Sequence, residues 1–209
     1  LLLNKQYNQS LKSTIFSYDF EDQHNTSGFE ITYSIPSTED TMKLVWASQK
    51  NPINQTQSFI NHKSYYYDIS ITSKSTRIPT TIGVRTFGES QSLSGIGFSA
   101  PFASHHGWDG YTNVSNQWAK NGSSHGHRSY YTTLSWPLQN KSSLHTSLYL
   151  FRGVTKNADY GAEYNFHYIR PVSKRLNWSH KLAYYASGAN SEAPSQWMTW
   201  MNLRLKIGK

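Results

Sequence analysis

Apolar and polar residues alternate with a period of two through short stretches of residues 14–207, and each stretch closes on a cluster of turn residues. Residues 160–168 carry the pattern clearly. Tyr160, Ala162, Tyr164, Phe166 and Tyr168 alternate with Gly161, Glu163, Asn165 and His167. Successive side chains leave opposite faces of a pleated strand, so this period predicts β-structure with one apolar and one polar face. About twelve stretches read this way: 13–20, 29–35, 41–48, 64–73, 80–88, 93–102, 111–119, 128–138, 143–153, 160–169, 176–186 and 197–207. Several are long enough to cross a bilayer at a tilt, for which ~9–11 residues suffice.

The connections alternate too. The short ones are 36–40, 75–79, 139–142 and 170–175, and the longer ones include 21–28, 49–63, 120–127 and 188–196. Membrane barrels pair short turns at one end with longer loops at the other. A soluble sandwich has no reason to do so, and would bury Trp178, Leu203 and Tyr164 between two sheets. The expected fold is therefore all-β: a closed antiparallel up-and-down transmembrane β-barrel of about 12 strands over residues 13–209, preceded by an arm at 1–12. An even strand count puts both chain ends on the short-turn side.

Sorting by face supports this. Phe16, Tyr18 and Phe20 are assigned to the outer face, with Ile31, Tyr33, Met42, Leu44, Trp46, Tyr65, Tyr67, Ile69, Ile71, Ile82 and Val84. Trp136, Leu148, Leu150, Tyr164, Phe166, Trp178, Tyr184, Trp197, Met201 and Leu203 continue it, with His180 as its awkward member. Charges avoid its middle, where Lys or Arg would cost roughly 2–4 kcal/mol in lipid. Trp136, Tyr168 and Trp197 are expected near the interfaces. The opposite face holds Asp19, Glu30, Lys43, Asp68, Arg85, Glu163, His167, Lys181, Arg204 and Lys206. Lys43, Arg85, Glu163, Lys181, Arg204 and Lys206 are the expected pore-lining residues. Arg204 and Lys206 are placed to reach Asp19 across a closing seam. Five of these ten residues are Lys or Arg and four are Asp or Glu. A lining stapled by ion pairs is therefore as well supported as a selective one.

Composition agrees. Only 36% of residues are hydrophobic and mean hydropathy is -0.66, yet 15% are aromatic. Aromatic side chains with polar tips suit a membrane interface. There is no cysteine, so neither a disulfide framework nor a thiolate metal site. The formal charge is +8, but Lys and Arg are scattered, which argues against nucleic acid. His105, His106, Asp109, His125 and His127 have metal-ligand chemistry. The strand reading puts the two histidine pairs at opposite ends, so neither a metal nor a cofactor is expected. His127-Arg128-Ser129 and His145-Thr146-Ser147 have a His-x-Ser spacing, but the Asn-Gly that follows the serine in outer-membrane phospholipase A is replaced by Tyr130 and Leu148. No catalytic residue is assigned.

The aromatic alternation of 160–168, the Pro171-Val172-Ser173-Lys174-Arg175 turn and the last strand with Arg204 resemble Gram-negative outer-membrane β-barrels. In size the chain is similar to the twelve-stranded oligogalacturonate-specific porin family and to autotransporter translocator domains. Outer-membrane barrels usually end on an aromatic residue, whereas this chain ends Leu205-Lys206-Ile207-Gly208-Lys209; a trimmed chain, or a barrel cut from a longer protein, is the expected reason. The resemblance implies an outer-membrane channel or export conduit for polar or anionic saccharides. Its surroundings would be outer-membrane lipid and lipopolysaccharide, with a periplasmic partner or further domains of a longer chain. Two other readings stand beside it: an outer-membrane lipid hydrolase and a soluble carbohydrate-binding β-sandwich.

Overall fold

The structure is a computed structural model and describes residues 1–20, 24–51, 62–74, 76–87, 127–154, 158–191 and 194–205. It contains β1 (Leu2–Gln6), β2 (Leu11–Phe20), β3 (His24–Ser34), β4 (Thr41–Asn51), β5 (His62–Ser73) and β6 (Thr80–Phe87). There follow β7 (His127–Pro137), β8 (Ser143–Gly153), β9 (Asp159–Pro171), β10 (Leu176–Ser187) and β11 (Gln196–Leu205). The eleven strands form one antiparallel sheet in sequential order. Apart from β1 and β6, each is 10–13 residues long.

Connections at one end of the sheet are uniformly short: 7–10, 35–40, 74–79, 138–142 and 172–175. Side chains in and near these connections accept from their backbone amides. Asn8 Oδ1 accepts from the amides of Ser10 and Leu11, both at 2.8 Å. Ser173 Oγ accepts from the amides of Arg175 and Leu176. The Lys74 amide donates to Asp40 Oδ1 at 2.9 Å, tying two neighbouring turns together. Such Asx and Ser turns close hairpins tightly without help from the rest of the fold. The other end carries 21–23, 52–61, 88–126, 154–158 and 188–195.

The all-β, antiparallel up-and-down reading holds: the described residues form eleven strands where about twelve are expected, and no ladder joins the edges β1 and β11 among them. The strands expected at 93–102 and 111–119 lie outside the described residues. Three expectations need correction. β6 and β7, expected to be separated by those two strands, pair directly, Thr80 opposite Leu134 and Phe87 opposite His127. Leu2–Gln6, expected within an arm, is β1, paired with β2 from Leu2 opposite Phe16 to Gln6 opposite Lys12. Finally, β2 has the opposite phase. Phe16 is buried with Val45, Ala47 and Tyr66, and Tyr18 packs on that cluster. Ile15 takes the exposed position instead, 55% accessible. Phe16 fits inside because Gly28, directly opposite, has no side chain; a Cβ there would stand 2.6 Å from the Phe16 ring.

The two faces of the sheet differ sharply. One registered row crosses the exposed face through Tyr33, Met42, Ile71, Ile82, Thr132, Leu148, Tyr164, Tyr184 and Trp197, with no charged side chain. On the other face Glu30, Val45, Asp68, Arg85 and Ser129 form a row. Asp68, Arg85, Glu163 and Lys181 are all buried there. No second sheet covers Tyr164 or Leu203 among the described residues; both are exposed. His180 donates to or accepts from Thr199 Oγ1 at 2.7 Å, which satisfies its ring on the apolar face.

The polar cleft on the buried face

A cavity of about 310 Å³ opens on the buried face, lined by Glu30, Lys43, Val45, Tyr66, Asp68, Ser70, Arg85, Tyr131, Thr133 and Tyr149. These residues come from six consecutive strands, β3 to β8. Laid flat, six strands at ~4.8 Å spacing span roughly 24 Å. They share one small cavity because the sheet curls towards this face, as twisted sheets do.

Asp68 is the hub. Arg85 donates to its Oδ2 through Nε at 2.8 Å and Nη2 at 2.7 Å. The Tyr66 hydroxyl donates to the same oxygen at 3.2 Å, and the Tyr131 hydroxyl donates to Oδ1 at 2.7 Å. Both charged side chains are only 9% exposed. A charge this buried is tolerated only when paired and hydrogen-bonded, and here both carboxylate oxygens are engaged. The Arg85 guanidinium lies 4.9 Å from the centre of the Tyr131 ring, a cation–π contact. That ring lies over Gly83, where a Cβ would meet it at 2.5–2.8 Å. Glycine in this strand makes room for the aromatic ring that anchors the hub.

Lys43 pairs with Glu30 at 2.8 Å on the rim. Glu163 is fully buried on β9, where its Oε1 accepts from Asn165 Nδ2 at 2.6 Å. Lys181 on β10 lies 5.3 Å from the centre of the Trp200 ring. Tyr131 and Tyr149 stack at 5.7 Å, and Tyr149 on Phe151 at 6.2 Å, linking the cleft to the cluster holding Ala183 and Tyr185.

Of the six residues expected to line a pore, the structure brings Lys43 and Arg85 together at the cavity. Glu163 and Lys181 are buried on the same face, farther along the sheet. Arg204 stands on the edge strand opposite Asn177, exposed at the short-turn end. Lys206 lies outside the described residues, as does the side chain of Asp19. Tyr66, Tyr131 and Tyr149 were missed. Their parity already places them opposite Tyr65, Tyr67 and Tyr130, but a search for charge passes over aromatic residues.

The His-x-Ser pairs do not assemble as dyads. His145 Nδ1 meets Ser135 Oγ at 3.0 Å and its Nε2 meets Ser143 Oγ at 3.1 Å, so serines other than Ser147 engage both ring nitrogens. Ser129 is buried, and the side chain of His127 lies outside the described residues. So do His105, His106, Asp109 and His125. Among the described residues no three His, Asp or Glu side chains group as a metal site. No protein family, curated protein or solved structure matches the chain.

Proposed function

We propose that the sheet closes as a twelve-stranded antiparallel barrel in the outer membrane of a Gram-negative cell, and that its charged face lines a conduit for polar or anionic saccharides. One observation carries this reading: charged side chains are buried among the aromatic clusters of one face while aliphatic side chains stand exposed on the other. Asp68 and Arg85 are 6% and 7% accessible, while Ile69 and Ile82 on the same two strands are 47% and 64% accessible. In water this discards the burial of aliphatic side chains, each worth about 1.5–3 kcal/mol. With lipid outside and water inside, every one of these placements is favourable.

Strand parity supports the number twelve. β1 and β11 both run from the loop end to the short-turn end, so joining them directly would make a parallel seam. One further strand between them, running the other way, completes an all-antiparallel ring. Cysteines at Asn4 and Asn202 test this in a chain that has none of its own. A ring with one intervening strand is expected to resist disulfide formation, because the edges stand about 10 Å apart, but to be joined by a crosslinker of that span. A direct disulfide means eleven strands, and no link by either route means an open sheet.

The aromatic lining of the cleft, Tyr66, Tyr131 and Tyr149, supports a sugar among polar solutes. The Arg85 guanidinium and the hydroxyls of Tyr66 and Tyr131 are engaged by Asp68, so the cation for a uronate carboxylate is Lys43, whose ion pair with Glu30 lies on the partly exposed rim. Purified protein is expected to require detergent, to raise planar-bilayer conductance in steps, and to swell liposomes in oligogalacturonate. Protein that stays in the aqueous phase without detergent and leaves the bilayer silent rejects the barrel. Conductance without sugar-dependent swelling rejects the saccharide.

A further inference from the structure

On the exposed face, Phe29, Leu44, Trp46, Tyr67 and Ile69 line a shallow, open apolar groove of about 400 Å³. Phe29 and Trp46 stack at 5.8 Å along its wall. A cation stands at its loop-end rim. Arg128, the second residue of β7, donates through Nη2 to the Tyr67 hydroxyl at 3.4 Å and through Nε to Thr86 Oγ1 at 3.3 Å. Both partners are neutral. Arg152, opposite Arg128 in register, has its own carboxylate in Asp159 at 2.5 Å; among the described residues Arg128 has none. A guanidinium held beside an apolar groove by neutral oxygens is poised for a phosphate, which it can take in a bidentate, charge-assisted bond.

We infer that this groove and Arg128 form a binding site for one phosphorylated lipid, with an acyl chain against Trp46 and Leu44 and a phosphate on the guanidinium. The inference rests on the barrel reading, in which the long loops face outward. The phosphorylated lipid of that leaflet is lipid A, and lipid A is the proposed occupant. Arg128 then lies where headgroup phosphates begin, and the groove extends below it towards the acyl layer.

The test uses the full chain purified in detergent and native mass spectrometry, with lipid A and its dephosphorylated form as probes. Lipid A is expected to be retained at least about tenfold more strongly, the worth of one charge-assisted contact. Arg128→Gln is expected to erase that preference while leaving bilayer conductance intact. Leu44→Trp is expected to fill the groove and weaken both lipids. Equal retention of the two lipids, or an unchanged preference in Arg128→Gln, overturns the site. Displacement of lipid A by millimolar inorganic phosphate also overturns it, because a lipid held by its chain as well as its headgroup resists a free anion. Each of these outcomes, in protein that still conducts, leaves the barrel standing; protein that neither needs detergent nor conducts removes the barrel and this site together.

Discussion

On β5 a single residue step separates a buried charge from an exposed aliphatic side chain. Asp68 is buried with four hydrogen bonds arriving at its carboxylate, while Ile69 beside it lies in the open with half its surface accessible. The same contrast recurs on β9, where Glu163 is buried and Tyr164 exposed. In an ordinary water-soluble sheet the hydrophobic effect would assign these faces the other way round. The difference teaches that local strand chemistry is ordinary here; on the proposed barrel reading, what differs is the medium each face is built for. Ion pairs, hydrogen bonds and aromatic clusters hold the buried face, and the proposal assigns the exposed apolar face to lipid.

The largest expected effect comes from breaking the charged face at its hub. Arg85→Ala leaves Asp68 buried with only tyrosine donors, and a carboxylate stranded in this way costs about 3–5 kcal/mol. Denaturant unfolding in micelles is expected to show that loss. The double variant with Asp68→Asn is expected to recover much of it, since the stranded charge is then gone. Full additivity of the two substitutions would mean the pair is not a unit.

The exposed face gives the next largest effect and the cleaner comparison. Ile69→Arg puts a cation in the middle of the apolar band, at a cost of roughly 2–4 kcal/mol if lipid surrounds it and close to nothing if water does. Refolding into bilayers is expected to fail or weaken, with solubility in detergent little changed. A variant as stable in vesicles as the parent breaks the comparison outright. Gly83 belongs to the charged face, under the Tyr131 ring. Its replacement by Val drives a side chain into the Tyr131 ring, and the overpacking is expected to cost about 1–3 kcal/mol. Tyr131→Ala in the same chain is expected to relieve the clash, although it also removes a donor from Asp68.

How far this was legible in the sequence varies from strand to strand for physical reasons. β9 could be read directly, because through its middle the polar Glu163 and Asn165 are buried while the aromatic Tyr164 and Phe166 are exposed. β2 could not. Both of its faces carry apolar residues, and only the space left by Gly28 opposite Phe16 decides which points inward. β1 was hidden because Leu1-Leu2-Leu3 has no alternation; a neighbour in the sheet makes it a strand. The direct pairing of β6 with β7 joins segments separated by residues 88–126, and no local period encodes such a partnership. Arg85 and Lys43 stood out as charges in alternating strands. The tyrosines that satisfy the hub did not, since a Tyr-rich chain gives no sign of which hydroxyls meet a carboxylate.

The smallest expected change in stability is the most informative about use. Lys43 and Glu30 form an ion pair at 2.8 Å, but their side chains are 44% and 32% exposed, so screening holds its worth to about 0–1 kcal/mol. Lys43→Gln is therefore expected to leave the unfolding midpoint almost unmoved. Its effect on passage is expected to be larger, because the substitution removes a rim cation and leaves Glu30 and the paired Asp68 and Arg85 as the charges around the cavity. A conduit through this cleft should then shift towards cations in reversal-potential measurements across a salt gradient, while Arg128→Gln on the opposite face should not. Equal responses from the two variants would mean that ions do not distinguish the faces, and the contrast between Asp68 and Ile69 would have to be explained without a water-filled interior.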